Sequence, residues 1–303
     1  MTELAMARQS SKLKSWFLAL RPKTLTAALI PVIVATALVK AQGWPILWWV
    51  SICAALSAIF IQIGTNFFND AIDFQKGADT ETRTGPMRVT QNGLLSSRQV
   101  MIGGAICFAI AALFGVPLAV QGGWPIVVIG LISLFLGYVY TGGPFPLAYL
   151  GLGDAFVILF FGVIAVMGTF YLHTHLITMA SFVAGLQVGF LATVLIAVNN
   201  LRDAPQDVLV CKRTLAVRFG ITFARIEILV LTIAPFVMGL YWAKTTSMAA
   251  AIYPFFTMPL VRRLLTGVFV TEPSPAYNRF LAMAAAIHIL FGCLLAFALC
   301  SRW

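Results

Sequence analysis

The stretch of sequence that decides the fold is ILWWVSICAALSAIFIQIGTNFF, residues 46–68, which contains no charged side chain. A helix of about 20 apolar residues is long enough to cross the hydrocarbon core of a bilayer. Directly after this run the sequence turns polar, with Asn69, Asp70 and Asp73 within five positions. This one stretch therefore predicts a membrane-spanning helix that carries a polar site at its end.

Composition extends the membrane prediction to the whole chain. Hydrophobic residues make up 60% of the 303 positions, and charged residues make up 10%. Soluble domains carry roughly 25% charged residues. Because so few charges cannot cover a water-facing surface, most of the exterior must face lipid. We expect a single all-α membrane domain over 1–303, with a basic leader over 1–23 that lacks the apolar core of a cleaved signal peptide.

Apolar runs between polar breaks predict nine transmembrane helices. Their approximate bounds are 24–41, 46–68, 100–120, 124–141, 152–172, 179–200, 219–242, 247–268 and 280–300. Glycine and proline mark several of the breaks, as in Gly142-Gly143-Pro144 after the fourth run.

The distribution of basic residues predicts the orientation. With nine spans, 17 of the 20 lysines and arginines fall on the side of the N-terminus, and three fall on the other side. Lysine and arginine accumulate in cytoplasmic loops. We therefore expect a multi-pass protein of the bacterial inner membrane with a cytoplasmic N-terminus. This topology accounts for the net charge of +10, and a nucleic-acid partner is not expected.

Six of the ten acidic residues fall in two short windows. The windows are 69–99, which holds Asp70, Asp73, Asp79 and Glu81, and 201–218, which holds Asp203 and Asp207. Each window follows a span, and both lie on the predicted cytoplasmic side. We therefore predict that they form catalytic cytoplasmic loops, with the active site under a cytoplasmic cap.

Within each window the polar residues recur at helical spacing. The first set is Asn66, Asp70 and Asp73, and the second is Asn199, Asp203 and Asp207. Intervals of three and four residues place side chains on one face of a helix, although Pro205 can kink the second set. The equal intervals from Asn66 to Asp70 and from Asn199 to Asp203 suggest an internal duplication.

Acidic and basic residues are mixed in both windows. Two facing carboxylate sets repel unless a cation lies between them, and Mg²⁺ prefers oxygen ligands that include phosphates. Lysine and arginine bind phosphate oxygens. The combination favours a metal–diphosphate site, and a set of salt bridges that stiffens the loops is the alternative. A secondary transporter is disfavoured, because transporters place ionisable residues near the bilayer midplane.

Three motifs resemble a known family. They are NDAIDFQKGAD at 69–79, RTGPMR at 83–88 and NNLRDAPQD at 199–207. With these motifs the chain resembles the UbiA superfamily of intramembrane aromatic prenyltransferases, and it looks most like the menaquinone branch that prenylates dihydroxynaphthoate. Two departures from the branch pattern are Asp154, where glutamate is expected, and Cys211, where glycine is expected.

The resemblance implies a transfer reaction and a role for each candidate residue. Two aspartate motifs hold Mg²⁺ on the diphosphate of a polyprenyl donor, and an aromatic ring attacks at a carbon whose carboxylate leaves as CO₂. The implied metal ligands are Asp70, Asp73, Asp79, Asp203 and Asp207. The implied diphosphate-binding residues are Lys76, Arg83, Arg88, Arg202 and Lys212, and Asn66, Asn69 and Asn199 orient ligands. Arg21 and Lys23 contact either the diphosphate or the acceptor carboxylate. An allylic carbocation forms as the donor loses its diphosphate, and Tyr138 and Tyr140 are the candidates to face it.

The resemblance also implies the partners: polyprenyl diphosphate, an aromatic acid and membrane lipid. A 4-hydroxybenzoate acceptor remains an alternative within the family. The length of the donor chain and the oligomeric state are left open.

Overall fold

The computed structural model describes residues 12–77, 85, 87–144 and 146–301, and over these residues its regular structure is helical. The helices are α1 Lys12–Leu20, α2 Pro22–Ala41, α3 Trp48–Gln75, α4 Ser97–Gly122, α5 Trp124–Val139, α6 Leu147–Leu150, α7 Gly153–Thr174, α8 Met179–Leu209, α9 Leu215–Thr245, α10 Met248–Ile252, α11 Met258–Val270 and α12 Tyr277–Cys300. A π-helical turn, Leu159–Ile164, interrupts α7, and a 3₁₀ turn, Tyr253–Thr257, separates α10 from α11.

Seven of these helices, α2, α3, α4, α7, α8, α9 and α12, are long and apolar enough to cross a membrane. A multi-pass, all-helical membrane protein is therefore confirmed. The predicted fourth span is the apolar helix α5, which has only 16 residues. The predicted helix 247–268 is broken by Pro254 and Pro259, because proline lacks the N–H that continues a helix. The count of nine spans stays a prediction.

Two helices run further than the apolar runs that predicted them. Helix α3 continues past residue 68 to Gln75, and α8 continues past residue 200 to Leu209. The first parts of both acidic windows are therefore helical, as the spacing of their acids indicated, and not loops. Both helices end at the same side of the bundle, which is called the aspartate end below.

Helix α8 forms the centre of the bundle. In its most apolar stretch 78% of the residues are buried, against 22% for α4. It packs on α7, α9, α12 and α2 through a core that includes Leu191, Val198 and Leu201. A second core joins α1, α3 and α4 with Val89 and Leu95 of the loop that follows α3. The central helix thus presents its end to the site from a rigid scaffold.

Helices α7 and α8 approach each other with backbone in contact. A Cβ atom at Gly162 would lie 2.5 Å from the Gly185 carbonyl oxygen and 2.5 Å from the Gly189 Cα. Gly162 lies in the π-helical turn of α7, a feature that often marks functional sites. The close approach fixes the position of α8 relative to Phe160 and Phe161, which line a cavity.

Candidate functional site

A polar cavity of about 210 Å³ lies where α3 and α8 end. Its walls come from α2, α3, α8 and the segments that follow α3, α5 and α8. The main polar residues that line it are Arg21, Thr24, Gln62, Asn66, Asn69, Asp73, Arg88, Tyr140, Tyr149, Asn199, Asn200, Asp203, Gln206, Asp207 and Lys212. The fold therefore brings residues from both acidic windows to one cavity.

The end of α3, called the first aspartate segment, contributes Asn69 and Asp73 to the cavity. Asp73 is 7% exposed, and its carboxylate accepts hydrogen bonds from Arg88 Nη2 at 3.2 Å and from the Tyr149 hydroxyl at 3.2 Å. The Asn69 amide accepts from Arg21 Nη2 at 3.0 Å and donates to Thr141 Oγ1 at 2.8 Å. One helix turn thus holds a carboxylate and an amide oxygen at the cavity wall.

Asp70 lies on a different face of α3 and does not line the cavity. Its carboxylate is 2% exposed and accepts from the backbone N–H groups of Val89 at 3.3 Å and Thr90 at 3.1 Å, and also from the Thr90 hydroxyl. These bonds fasten the loop that carries Arg88 to the cavity. Of the three residues expected on one face, Asn66 and Asp73 line the cavity and Asp70 anchors a loop.

The end of α8 is called the second aspartate segment. Its residue Asp203 is paired with an arginine of the same helix. Arg202 binds Asp203 with two hydrogen bonds, Nε to Oδ1 at 2.8 Å and Nη2 to Oδ2 at 2.7 Å. Its remaining Nη1 donates to Asn278 Oδ1 of α12 at 2.7 Å, and the residue is 1% exposed. Arg202 lies behind the cavity wall, so it orients Asp203 and is not part of the cavity lining.

Asp207 lies one turn beyond Asp203. Its Oδ1 is 3.5 Å from Lys212 Nζ. Its Oδ2 is buried and has no hydrogen-bond partner among the described residues. A buried carboxylate oxygen that lacks a partner is costly unless a cation or donor satisfies it. This oxygen therefore fits a hard metal cation.

The two aspartate segments match each other in a different register from the expected one. The pairs that line the cavity at equal intervals are Asn69 with Asp73 and Asn199 with Asp203. The expectation that Asn66 and Asp70 form the first pair was wrong by three residues, because Asp70 faces the loop that follows α3.

The donor set suits Mg²⁺ bound together with a substrate. Among the described residues no group of three His, Cys, Asp or Glu side chains is close enough to hold a metal alone. Mg²⁺ commonly takes one or two carboxylates and completes its shell with water and substrate phosphates. Asp73, Asp203 and Asp207 supply such carboxylates around the cavity. Asp79 and Arg83, also predicted here, lie outside the described residues.

Sequence reasoning missed Tyr149 and Thr141. Lys76 Nζ donates to the Thr141 carbonyl at 2.7 Å and lies 4.8 Å from the centre of the Tyr149 ring. Lys212 Nζ lies 6.0 Å from the same ring. The segment between α5 and α7 carries no charged residue before Asp154, so its part in the site gave no charge signal. Its only sequence signal was the glycine and proline cluster after Tyr140.

An apolar cavity of about 400 Å³ adjoins the polar one. It lies between α2, α3, α4, α5 and α7, and the two cavities share Ala27, Thr65, Tyr140, Val157 and Phe161. Tyr140 therefore lies at the junction between a charged chamber and an apolar one.

This chain is similar to known proteins in sequence and in fold. The chain is 33% identical to 1,4-dihydroxy-2-naphthoate octaprenyltransferase of Haemophilus influenzae, over 96% of the chain and 97% of the relative. It is 30% identical to the protein of that name from Bacillus subtilis, over 92% and 90%. A UbiA homologue from Archaeoglobus fulgidus, solved with GPP and Mg²⁺, superposes with a TM-score of 0.65 at 17% identity and covers 95% of the chain and 100% of the homologue.

One family model matches most of the chain. The model of the UbiA prenyltransferase family matches residues 28–284, a range that includes both aspartate segments and most of the residues that line the two cavities. The chain therefore belongs to the UbiA prenyltransferase family.

Proposed function

We propose that this protein transfers a polyprenyl group from polyprenyl diphosphate to 1,4-dihydroxy-2-naphthoate, with release of diphosphate and CO₂, to give demethylmenaquinol in menaquinone biosynthesis. The relatives that match over nearly the whole chain are named for this acceptor. The observation that carries the proposal is the junction of the two cavities at Tyr140, because a polyprenyl diphosphate has one charged end and one apolar end.

The diphosphate would occupy the polar cavity. Arg88 and Lys212 line it, and Lys76 Nζ lies 4.8 Å from the ring centre of Tyr149, which also lines it, so these cations can bind the diphosphate oxygens. Asp73, Asp203 and Asp207 would hold Mg²⁺. When bound, Mg²⁺ neutralises the diphosphate and makes it a better leaving group.

The polyprenyl tail would occupy the apolar cavity. Each CH₂ group that is kept from water contributes about 0.8 kcal/mol, so the tail favours this cavity and the surrounding lipid. This placement brings the first carbon of the donor to Tyr140 and Phe161, whose aromatic faces stabilise positive charge. The apolar walls would also limit the access of water to the reactive carbon.

The aromatic acceptor would enter the polar cavity beside the donor. Arg21 lines this cavity, whereas Lys23 does not, so Arg21 is the N-terminal cation available to either the acceptor carboxylate or the diphosphate. The bond from the first prenyl carbon to the diphosphate oxygen breaks and leaves an allylic cation, and the ring carbon that bears the carboxylate then forms a bond to that prenyl carbon. The bond to the carboxylate then breaks, and its electron pair restores the aromatic ring as CO₂ leaves.

The proposed topology has nine spans, a cytoplasmic N-terminus and the aspartate end at the cytoplasmic face of the bacterial inner membrane. The division of basic residues, 17 against three, supports this orientation. It would let the water-soluble acceptor arrive from the cytoplasm while the tail of the donor stays in lipid.

The activity is tested with purified protein in detergent, radiolabelled farnesyl or geranylgeranyl diphosphate, and Mg²⁺. Parallel reactions contain 1,4-dihydroxy-2-naphthoate or 4-hydroxybenzoate, each with an EDTA control and with Asp207→Asn. We expect a prenylated naphthoquinol that disappears with EDTA and in the variant. If product forms only with 4-hydroxybenzoate, 1,4-dihydroxy-2-naphthoate is refuted as the acceptor. If the folded protein transfers the prenyl group to neither acceptor, the proposed function is refuted and the transporter hypothesis becomes the favoured one.

A further inference from the structure

The segment that joins α5 to α7 contributes Ala148 and Tyr149 to the lining of the polar cavity. This segment, residues 141–151, is called the strap, and Phe145 within it lies outside the described residues. One end is bound to the first aspartate segment, through Asn69 and Lys76 to Thr141. The other end is bound to the segment after α8, where the Arg213 N–H donates to the Tyr149 carbonyl at 3.0 Å. The strap therefore links the two acidic windows.

The docking of the strap is tight at its second end. Arg218 Nη2 donates to the Leu150 carbonyl at 2.7 Å. Gly151 has φ 72°, and a Cβ atom there would lie 2.5 Å from the Arg213 carbonyl oxygen. Glycine is required at such a position, because it adopts positive φ without strain and has no side chain to force the backbones apart. The backbone thus fixes where Tyr149 can place its side chain.

The Tyr149 side chain contacts charged groups from both windows. Its hydroxyl donates to Asp73 Oδ1 at 3.2 Å. Its ring centre lies 4.8 Å from Lys76 Nζ and 6.0 Å from Lys212 Nζ. Lys212 also lies 3.5 Å from Asp207, so one tyrosine connects a carboxylate of the first window with the cation that faces a carboxylate of the second.

The chemistry of the ring and of the hydroxyl suits this arrangement. The faces of an aromatic ring carry negative potential and attract ammonium groups, so the Tyr149 ring can hold both lysines. The hydroxyl fixes Asp73 Oδ1 with a hydrogen bond, so it sets the direction in which the carboxylate faces the cavity. The ring and the hydroxyl therefore address different groups of the site and can be removed separately.

We propose that Tyr149 is a positioning residue for the diphosphate site. Its ring holds Lys76 and Lys212 where they meet the diphosphate oxygens, and its hydroxyl orients Asp73 towards the metal. Because this role rests on the proposed function, its test uses binding of the donor without any acceptor.

The test compares Tyr149→Phe, which keeps the ring, with Tyr149→Leu, which removes both ring and hydroxyl. Tyr241→Phe in α9, where the ring packs on Trp242, is the matched control. Binding of radiolabelled farnesyl diphosphate is measured by equilibrium binding over a range of Mg²⁺ concentrations, and near-native melting temperatures confirm that the variants fold.

We expect the leucine variant to weaken donor binding about tenfold at saturating Mg²⁺, because the ring no longer holds the lysines. The phenylalanine variant should keep the affinity at saturating Mg²⁺ and need about three- to fivefold more Mg²⁺ for half-maximal binding, because only the bond to Asp73 is lost. A merely structural role would not separate these two effects.

Wild-type affinity and Mg²⁺ dependence in both variants would overturn the role of Tyr149, and so would equal changes in the two variants. If the leucine variant fails to fold, the Mg²⁺ requirement of the phenylalanine variant still tests whether the hydroxyl orients Asp73. The proposed function fails separately, when wild-type protein binds the donor but transfers nothing to dihydroxynaphthoate.

Discussion

The two aspartate segments present the same pair of residues on two different supports. Asn69 and Asp73 lie in the last two turns of α3, and Asn199 and Asp203 lie near the end of α8, with the two residues of each pair four positions apart. Asp203 is bound by its chain neighbour Arg202, whereas Asp73 is bound by groups from two later segments. The second segment is therefore set by one central helix, and the first depends on loops that dock around it.

The largest effect should follow from breaking the support of the second segment. In Arg202→Met, Asp203, whose side chain is 13% exposed, loses two short hydrogen bonds from a buried arginine, and breaking a buried pair costs about 3–5 kcal/mol. Among the described residues, Arg88→Met removes a longer bond of 3.2 Å to Asp73, which keeps its bond from Tyr149. We therefore expect the melting temperature in detergent to fall much further for Arg202→Met than for Arg88→Met.

A double variant separates the lost charge from the lost packing. Adding Asp203→Asn to Arg202→Met removes the uncompensated carboxylate, so part of the melting temperature should return. Equal losses in the two single variants, or no recovery in the double variant, would contradict the view that the second segment has the more firmly fixed support.

The next largest effect tests the two neighbouring acids of the first segment. Asp73 lines the cavity, whereas Asp70 holds the backbone of Val89 and Thr90. Asp73→Asn should lower kcat/KM about a hundredfold, because a metal-facing charge is lost. Asp70→Asn should chiefly lower the melting temperature and raise the KM for the donor, since the loop that carries Arg88 loosens. Similar Mg²⁺ dependence in the two variants would show that both acids are ligands.

A smaller effect tests the backbone contact that places the second segment. Gly162→Ala puts a methyl group 2.5 Å from the α8 backbone, and overpacking of this kind costs about 1–3 kcal/mol. Gly115→Ala in α4 is the control, because its Cβ atom meets nothing within 4 Å. We expect a lower melting temperature for Gly162→Ala only. The same change in both variants would mean that α7 and α8 can separate freely.

The sequence was sufficient to predict what depends on local chemistry. Apolar runs located the helices, and the spacing of acids showed that α3 and α8 extend past those runs. The facing of Asp70 was not predictable, because intervals of three and four residues fit either Asn66 with Asp70 or Asn69 with Asp73. The loop that selects between them folds back from residues 88–90. Tyr149 was missed for a related reason, since its partners are up to 76 residues away.

The smallest expected effect concerns how the two segments end. Four residues after Asp73 lies Gly77 with φ 69°, and four residues after Asp207 lies Cys211 with φ 55°. A left-handed conformation costs a non-glycine residue about 1–2 kcal/mol, and glycine gives back about 0.5–1 kcal/mol through its freer unfolded chain. Cys211→Gly should therefore stabilise the protein by about 0.5–1 kcal/mol, and Cys211→Ala should not. Gly77→Cys should destabilise it by a similar amount. Melting temperatures that move in these opposite directions would show that the two segments share one helix ending and differ there by a single residue.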